Sequence, residues 1–329
     1  MNSIPQLKIL SVLDDFTFQG LNQSDSLKII TQKPFWYRKS NKIDFMLVES
    51  AWRGNNNQWR HKIANYPNHP ERNNQEIKKL ISWAKDHKIP TVFWNKEDPY
   101  HYDQFIDTAK LFDYIFTTDN LSLERYKKDA PKSKVNILPF FIQTELHKTC
   151  NLPVRQRSLF IGSYHTSEHP QRKIWQDHIF PQAAKYGLTI INRHSDSTDI
   201  AQKFPIYKGD IEYLPCIPYK QTHLLYNQFS HCLNVNSITN SNTMFSRRLL
   251  EIMACGKLAI SNPSNSISNL FQDMCICLDD EQEVGELFNQ LSYGYTSEQK
   301  QMCQYAQQHV HENYNVKHWI NRILKEINI

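Results

Sequence analysis

Short apolar runs alternate with stretches of helical periodicity along the chain. In the first half, the runs predict buried strands at residues 7–13, 43–48, 90–94, 114–117 and 135–138. Between them, residues 76–86 and 105–112 place apolar side chains at helical spacing. Strands that alternate with helices favour a parallel sheet with right-handed crossovers. We therefore expect a Rossmann-like α/β domain over residues 1–150.

The alternation pauses at residues 146–156, which lack periodicity and contain Pro153, so we interpret this segment as a linker. It then resumes, with strands predicted at residues 159–161, 188–191, 232–235, 257–261 and 275–278. Helices are predicted at residues 170–187, 223–229 and 281–291, and an apolar stripe over residues 316–327 predicts a terminal helix. The pattern thus predicts a second Rossmann-like domain over residues 151–329, with a cleft between the two domains.

Residues 240–256 combine a polar loop with a short helix that is apolar on nearly every side. Such a helix is expected inside a domain. Ser241, Asn242 or Thr243 is predicted to cap its N-terminus, and Gly256 to take the left-handed position after its last turn.

One side of this helix is polar. Arg247 and Arg248 precede Glu251 by four and three residues, so the three side chains share a side. A helix N-terminus with two guanidiniums suits a diphosphate, and the carboxylate could hold the vicinal hydroxyls of a ribose. The spacing is equally typical of a structural Arg–Glu ion pair, so both interpretations stay open on local grounds.

Acidic residues follow three predicted strands of the first half. They are Asp14 and Asp15, Glu49, and Glu97 and Asp98. The carboxyl ends of parallel strands meet at one edge of a sheet, where α/β proteins place their site residues. We expect a general base among these five carboxylates.

Aromatic and basic residues occur beside the same strand ends, in segments that we predict to be loops. The aromatic ones are Trp52, Trp59, Tyr100 and Tyr102, and the basic ones are Arg53, Arg60 and Lys96. Aromatic rings beside carboxylates can bind a sugar, although each ring alone is more typical of loop packing. The basic side chains either bind a charged acceptor or neutralise the carboxylates.

The composition narrows the functional classes. The net charge of +5 over 329 residues, without a long basic run, argues against nucleic-acid binding. Seven cysteines at irregular spacing are typical of a reducing cytosol, and no signal peptide or membrane-spanning run is seen. No nicotinamide, flavin or P-loop motif is present, nor an Asp-x-Asp motif flanked by apolar strands, so we expect neither cofactor nor metal.

Several blocks together resemble one family of enzymes. They are residues 245–256 (Phe-Ser-Arg-Arg-Leu-Leu-Glu-Ile-Met-Ala-Cys-Gly), 49–55, 93–99, 112–119 and 159–164. They are similar to the GT-B glycosyltransferases, and above all to the CgeB-like (DUF3880-type) bacterial proteins. The resemblance implies an N-terminal acceptor domain, a C-terminal donor domain, and a last helix that often packs back on the first domain.

The resemblance also implies a reaction. A sugar would pass from a nucleotide-sugar donor, with a UDP-sugar favoured, to a hydroxyl of a glycan or glycolipid in bacterial surface glycan synthesis, without metal. The protein is expected in the cytoplasm, and at the inner face of the membrane if its acceptor is a lipid. The residues implied in donor binding are Gly162, Tyr164, Ser241, Thr243, Phe245, Ser246, Arg247, Arg248 and Glu251. Those for the acceptor are Trp52, Arg53, Lys96 and Tyr100.

In such an inverting transfer, a carboxylate takes the proton of the acceptor hydroxyl, and cations stabilise the leaving diphosphate. Asp15 and Asp98 are the first candidates for this base. Many retaining relatives carry a pair of glutamates eight residues apart; here Glu251 fits the second and Thr243 stands at the first, which weakens a retaining assignment. Two alternatives remain: a sugar-nucleotide epimerase of the same fold, and a non-catalytic nucleotide- or sugar-binding subunit.

Overall fold

The computed structural model describes residues 6–35, 42–164, 169–196, 198, 203–279 and 281–329. Contacts between residues divide the chain into two compact units. Unit 1 comprises Met1–Phe140 and Val316–Ile329, and unit 2 comprises Phe141–Asn315. Each unit is an α/β layer structure around its own parallel sheet of six strands, as the alternation of strands and helices predicts.

The sheet of unit 1 has the order β2-β1-β3-β4-β5-β6. Its strands are β1 (Leu7–Val12), β2 (Leu27–Thr31), β3 (Phe45–Glu49), β4 (Thr91–Asn95), β5 (Tyr114–Thr117) and β6 (Lys134–Ile137). Its first four helices are α1 (Asp15–Asn22), α2 (Gln75–Asp86), α3 (Tyr102–Ala109) and α4 (Leu123–Asp129). Every residue of β3 and β4 is buried, since helices cover both faces of a parallel sheet.

The sheet of unit 2 has the order β12-β11-β10-β7-β8-β9. Its strands are β7 (Arg155–Gly162), β8 (Leu188–Asn192), β9 (Ile211–Leu214), β10 (Phe229–Leu233), β11 (Leu258–Ser261) and β12 (Ile276–Cys277). Its helices are α5 (Pro170–Ala184), α6 (Thr222–Gln228), α7 (Arg247–Ala254), α8 (Asn265–Leu270), α9 (Glu281–Ser292) and α10 (Ser297–Asn313).

The terminal helix α11 (Val316–Ile327) belongs to unit 1. Its Trp319 is 2% exposed, donates from Nε1 to the Pro139 carbonyl at 2.9 Å, and meets the Trp94 ring edge-on at a centroid distance of 5.0 Å. The apolar stripe of this helix is therefore a packing face within unit 1.

Some boundaries differ from the sequence prediction. Strand β10 spans Phe229–Leu233 rather than residues 232–235, because α6 runs directly into it at Gln228. Strand β7 begins at Arg155, inside the segment interpreted as a linker. The two strands that the apolar pattern misses, β2 and β9, lie at sheet edges and contain half-buried or exposed positions.

Candidate functional site

In unit 2, polar residues collect where the parallel strands end. Gly162 is the last residue of β7, Arg193 directly follows β8, and Asn234 and Asn262 directly follow β10 and β11. Because these strands run in the same direction and are neighbours, the four positions lie along one edge of the sheet.

Buried asparagines hold the start of α7 at this edge. Asn236 accepts the backbone N–H of Ser246 at 2.7 Å, and its own N–H is accepted by Asn262 at 2.7 Å. Asn262 also donates to the Asn236 carbonyl at 3.0 Å, and Asn234 donates to Ser261 at 2.9 Å. These amides fix the loop before α7 without placing a negative charge beside it.

The helix begins later than the sequence predicts. Its N-cap is Ser246 rather than Ser241, Asn242 or Thr243. The Ser241 hydroxyl instead accepts the backbone N–H of Met244 at 3.0 Å and lies 3.3 Å from that of Thr243, so it closes a local turn. At the other end, Gly256 has φ +68°, which confirms the left-handed position after the helix.

Arg248, on the first turn of α7, extends toward the end of β7. Its guanidinium lies over the Phe160 ring at 4.7 Å, and its Nη1 is buried without a hydrogen-bond partner among the described residues. A Cβ added at Gly162 would come within 2.7 Å of the Arg248 Nη2 and 2.6 Å of Phe160. A side chain at position 162 would therefore displace the Arg248 guanidinium and the Phe160 ring from these positions.

Two further arginines stand close to Arg248. Arg172, in the first turn of α5, donates to the Ser163 carbonyl at 2.6 Å, and its Nε is buried without a partner among the described residues. Burial lowers the pKa of Arg172 to about 9, and the charges of Arg248 and Arg193 act in the same direction. Burial likewise lowers the pKa of Arg248 to about 10, opposed by Tyr226 and assisted by Arg193.

Arg172, Arg193 and Arg248 thus form a cluster of like charges, which we call the arginine cluster. Among the described residues, no carboxylate forms an ion pair with any of these three arginines. Guanidiniums that remain charged at neutral pH and have donor atoms to spare are binding groups for an anion. Of the three, the sequence pattern predicts only Arg248 as a binding residue. Arg172 and Arg193 were not predicted, although the position of Arg193 directly after a strand could have indicated it.

Arg247 points to a different partner. Its Nε lies 2.9 Å from Glu251, and its guanidinium stacks over the Tyr219 ring at 4.7 Å. Glu251 also accepts the hydroxyls of Tyr219 at 3.0 Å and Tyr226 at 3.2 Å. Burial would raise the pKa of Glu251, but Arg247, His147 and the two tyrosines outweigh it and the pKa is lowered. Arg247 and Glu251 therefore form an ion pair, as one of the two interpretations expected, and their role in donor binding stays a prediction.

Of the other residues predicted to bind the donor, some lie at the sheet edge beside the arginine cluster and others lie in the core of unit 2. The Tyr164 hydroxyl donates to Asp177 on α5 at 3.0 Å. Phe245 is 1% exposed and packs edge-on against Phe271 at a centroid distance of 4.9 Å. Phe245 is thus a core residue of unit 2, whereas Gly162 and Ser246 flank the arginine cluster.

In unit 1, the acidic strand ends and Lys96 form an ionic group. The Lys96 Nζ lies 2.9 Å from Asp14 and 3.1 Å from Glu49, and Lys96 is only 6% exposed. Glu49 also accepts the Asp14 backbone N–H at 2.5 Å. Burial raises the pKa of Glu49, against the lowering effect of Lys96. Lys96 therefore neutralises carboxylates rather than facing an acceptor, and Glu49 lies too deep to reach one.

Asp98 lies inside unit 1, at 1% exposure. It accepts hydrogen bonds from Asn95 at 2.7 Å, Thr117 at 2.6 Å and Tyr126 at 2.9 Å. Burial raises its pKa to about 7, although the two hydroxyls oppose this. A general base must touch the hydroxyl that it deprotonates, so the expectation for Asp98 is corrected: it is a buried structural carboxyl.

Asp15 and Glu97 remain accessible among the candidate bases. Asp15 is exposed and accepts the Asn56 backbone N–H at 3.2 Å, and Glu97 is half-buried with its carboxylate 4.0 Å from His101. Asp14 is half-buried and accepts the Gly54 backbone N–H at 3.0 Å.

The aromatic residues proposed for the acceptor differ in accessibility. Trp52 is half-buried and meets Phe105 edge-on at 5.0 Å, whereas Tyr100 is 45% exposed. Arg53 is exposed. Trp59 is fully buried, as expected for a ring that packs a loop down. Tyr102 begins α3 at 1% exposure, so the prediction that it lies in a loop is wrong.

Two further observations concern metals and membranes. Within the described ranges, no group of three or more His, Cys, Asp or Glu side chains is arranged to hold a metal ion. Among the same residues, no helix combines the length and hydropathy needed to cross a bilayer.

A comparison with protein families matches residues 182–325 to a family described as glycosyl transferase-like. This range contains β8 to β12 and most of α11, and hence Arg193 and Arg248 of the arginine cluster. No curated protein matches the sequence.

Solved structures of glycosyltransferases share the fold over nearly the whole chain. An alpha-glucosyltransferase (AGT) in complex with UDP has a TM-score of 0.66 at 11% identity, over 98% of this chain and all of that one. Anabaena HepE in complex with UDP and glucose has a TM-score of 0.54 at 13% identity, over 97% of this chain and 91% of that one. A glycosyltransferase from Rickettsia africae also has 0.54, at 10% identity, over 98% of both chains. The chain therefore has the fold of the GT-B glycosyltransferases, and its residues 182–325 match the glycosyl transferase-like family.

Proposed function

We propose that unit 2 binds a nucleotide-sugar donor and that the arginine cluster receives its diphosphate. The observation that carries this proposal is the cluster itself: three guanidiniums at one sheet edge, of which Arg172 and Arg248 each have a buried donor atom without a partner among the described residues. A buried donor without a partner costs about 1–3 kcal/mol, and neighbouring like charges add to that cost. A bound diphosphate would remove both costs.

A second part of the proposal concerns transfer. As the diphosphate leaves, the cluster would stabilise its growing charge in place of a metal ion. Asp15 is our candidate for the base, because it is an exposed carboxylate at a strand end, free of the Lys96 ion pair that occupies Asp14 and Glu49. The acceptor is proposed to be a hydroxyl of a glycan or glycolipid in bacterial surface glycan synthesis.

The nucleotide is proposed to be UDP. Two of the similar structures, AGT and HepE, are described as complexes with UDP. The expected result is that UDP raises the melting temperature of the full chain more than GDP, CMP or dTDP. UMP and uridine should raise it progressively less than UDP, because each lacks phosphate charge for the arginine cluster.

Variants test the cluster directly. Arg248→Met and Arg172→Met should each weaken UDP binding by about 10- to 100-fold, the effect of losing one charge-assisted hydrogen bond. Arg322→Met on α11, an exposed arginine of unit 1, is the matched control and should bind UDP normally. The proposal fails if both cluster variants bind UDP as tightly as the control. Release of free sugar or transfer product from the donor, rather than an epimerised donor, separates a transferase from an epimerase, and a binding subunit would give neither.

A further inference from the structure

The long loop of unit 1 between β3 and α2, residues 50–74, is held in one arrangement. Its backbone N–H groups at Gly54 and Asn56 donate to Asp14 at 3.0 Å and Asp15 at 3.2 Å. Further along, the Trp59 indole donates to the Gln32 carbonyl at 2.7 Å. The carboxylates at the strand ends therefore fix the start of this loop.

The backbone of the loop takes the left-handed region repeatedly. Asn56, Asn57 and His61 have φ of 52°, 59° and 62°. Such conformations cost free energy for residues with a Cβ, and they persist where the surroundings determine them and often where a site needs them.

Positive charge is concentrated on this loop. Glu71 is its single acidic residue, against four basic ones: Arg53, Arg60, Lys62 and Arg72. Arg72 lies 3.4 Å from Glu71, whereas the other three meet no carboxylate within ion-pair distance among the described residues. The loop therefore offers cations that the fold itself does not neutralise, in contrast to Lys96.

His61 lies among these cations. Burial, followed by the charges of Arg72, Arg60 and Lys62, lowers its pKa. Its ring stands edge-on to Tyr66 at 5.3 Å, and its Nδ1 is buried without a hydrogen-bond partner in the part of the chain that the structure describes. The charges of several basic residues thus act on a histidine whose buried Nδ1 has no partner among the described residues.

We propose that Arg60, His61 and Lys62 bind a phosphate group carried by the acceptor. This inference rests on the proposed transferase function and names the chemistry of its acceptor. Guanidiniums and an ammonium on one loop match the charge and the several oxygens of a phosphate better than a neutral sugar, which needs no cation. The phosphate could belong to a lipid headgroup or to a soluble phosphorylated acceptor, and the experiment separates these two sources.

The experiment uses the full chain saturated with UDP, so that the arginine cluster is occupied. Binding is measured to vesicles of phosphatidylglycerol in phosphatidylcholine, to vesicles of phosphatidylcholine alone, and to glycerol 3-phosphate. UDP binding is measured on the same samples by thermal shift, so that failure of the donor site and failure of the acceptor site are seen separately.

The double variant R60E/K62E should weaken binding to the phosphate ligand by about tenfold or more, since each basic residue contributes roughly 1 kcal/mol near an anionic surface. The matched control is K128E/K132E, which makes the same change of charge at exposed positions of unit 1. Binding to phosphatidylglycerol vesicles alone supports a lipid acceptor, and binding to glycerol 3-phosphate as well supports a soluble one.

Three results would overturn the proposal: no binding to either phosphate ligand, an equal loss in both double variants, or binding of a short DNA duplex in their place. Normal UDP binding alongside any of these would leave the donor site intact.

Discussion

The buried carboxyl of Asp98 makes the stability of unit 1 depend on pH. Its pKa is raised from 3.8 to about 7, chiefly by burial, so the folded chain holds a proton that the unfolded chain has released between these values. The favourable contribution is therefore fully present below about pH 4 and is lost as the pH rises through about 7. At about 1.4 kcal/mol per unit, the shift corresponds to roughly 4 kcal/mol.

The perturbation that isolates this contribution is Asp98→Asn, which keeps the shape of the side chain and removes its titration. We expect the stability of the wild type relative to the variant to fall by about 2–4 kcal/mol between pH 4.5 and pH 8, because only the wild type loses a proton there. Urea unfolding followed by tryptophan fluorescence is a suitable assay, since Trp59 and Trp94 are buried in the same unit.

The matched control is Asp103→Asn, at an exposed position on α3, which should follow the wild type at every pH. A constant difference between the wild type and Asp98→Asn across this pH range would refute the reasoning. It would mean that Asp98 is ionised inside the fold and that its three hydrogen bonds compensate fully for burial.

Two further predictions concern the reaction. Gly162→Ala should weaken UDP binding about tenfold or more, because the new Cβ meets the Arg248 guanidinium at 2.7 Å; Gly285→Ala, whose Cβ would meet nothing closer than 4.0 Å, is the control. If both alanine variants bind UDP equally, the position of Arg248 does not decide affinity. Asp15→Asn should retain UDP binding and lower turnover of the donor by about 10²- to 10⁴-fold, the usual contribution of a general base. Full turnover in Asp15→Asn, measured beside Asp103→Asn, would place the base elsewhere.

Buried strands were predictable from the sequence where both faces are covered. Strand β3 is an unbroken apolar run up to Glu49, since helices lie on both sides of it. Strands β2 and β9 were missed because edge strands face a less apolar environment: Lys28 is exposed in β2, and Glu212 and Tyr213 interrupt β9. An apolar run in the sequence indicates a buried strand, and β2 and β9 are only partly buried.

The cationic character of this sheet edge was predictable from the sequence, but two of the three arginines that form it were not. A cationic anion-binding site near α7 was expected, and Arg248 belongs to the arginine cluster. The sequence groups Arg247 with Arg248 because the two are adjacent. On a helix, however, adjacent residues point about 100° apart, and Arg247 forms an ion pair with Glu251. Arg172 and Arg193 come from other strand–helix units, and only the order of strands in the sheet brings them to the same edge.

The contacts that hold the long loop of unit 1, residues 50–74, have a consequence for how its sequence can diverge. Its anchors at Gly54, Asn56, Ile63 and Asn65 use main-chain atoms of the loop, the last two through Thr108 and Gln104. Exposed side chains between such anchors, unlike the buried Trp59, can be exchanged without displacing the loop from the sheet. On the proposed function, substitutions at these exposed positions would change the acceptor preference and leave the donor site of unit 2 unchanged.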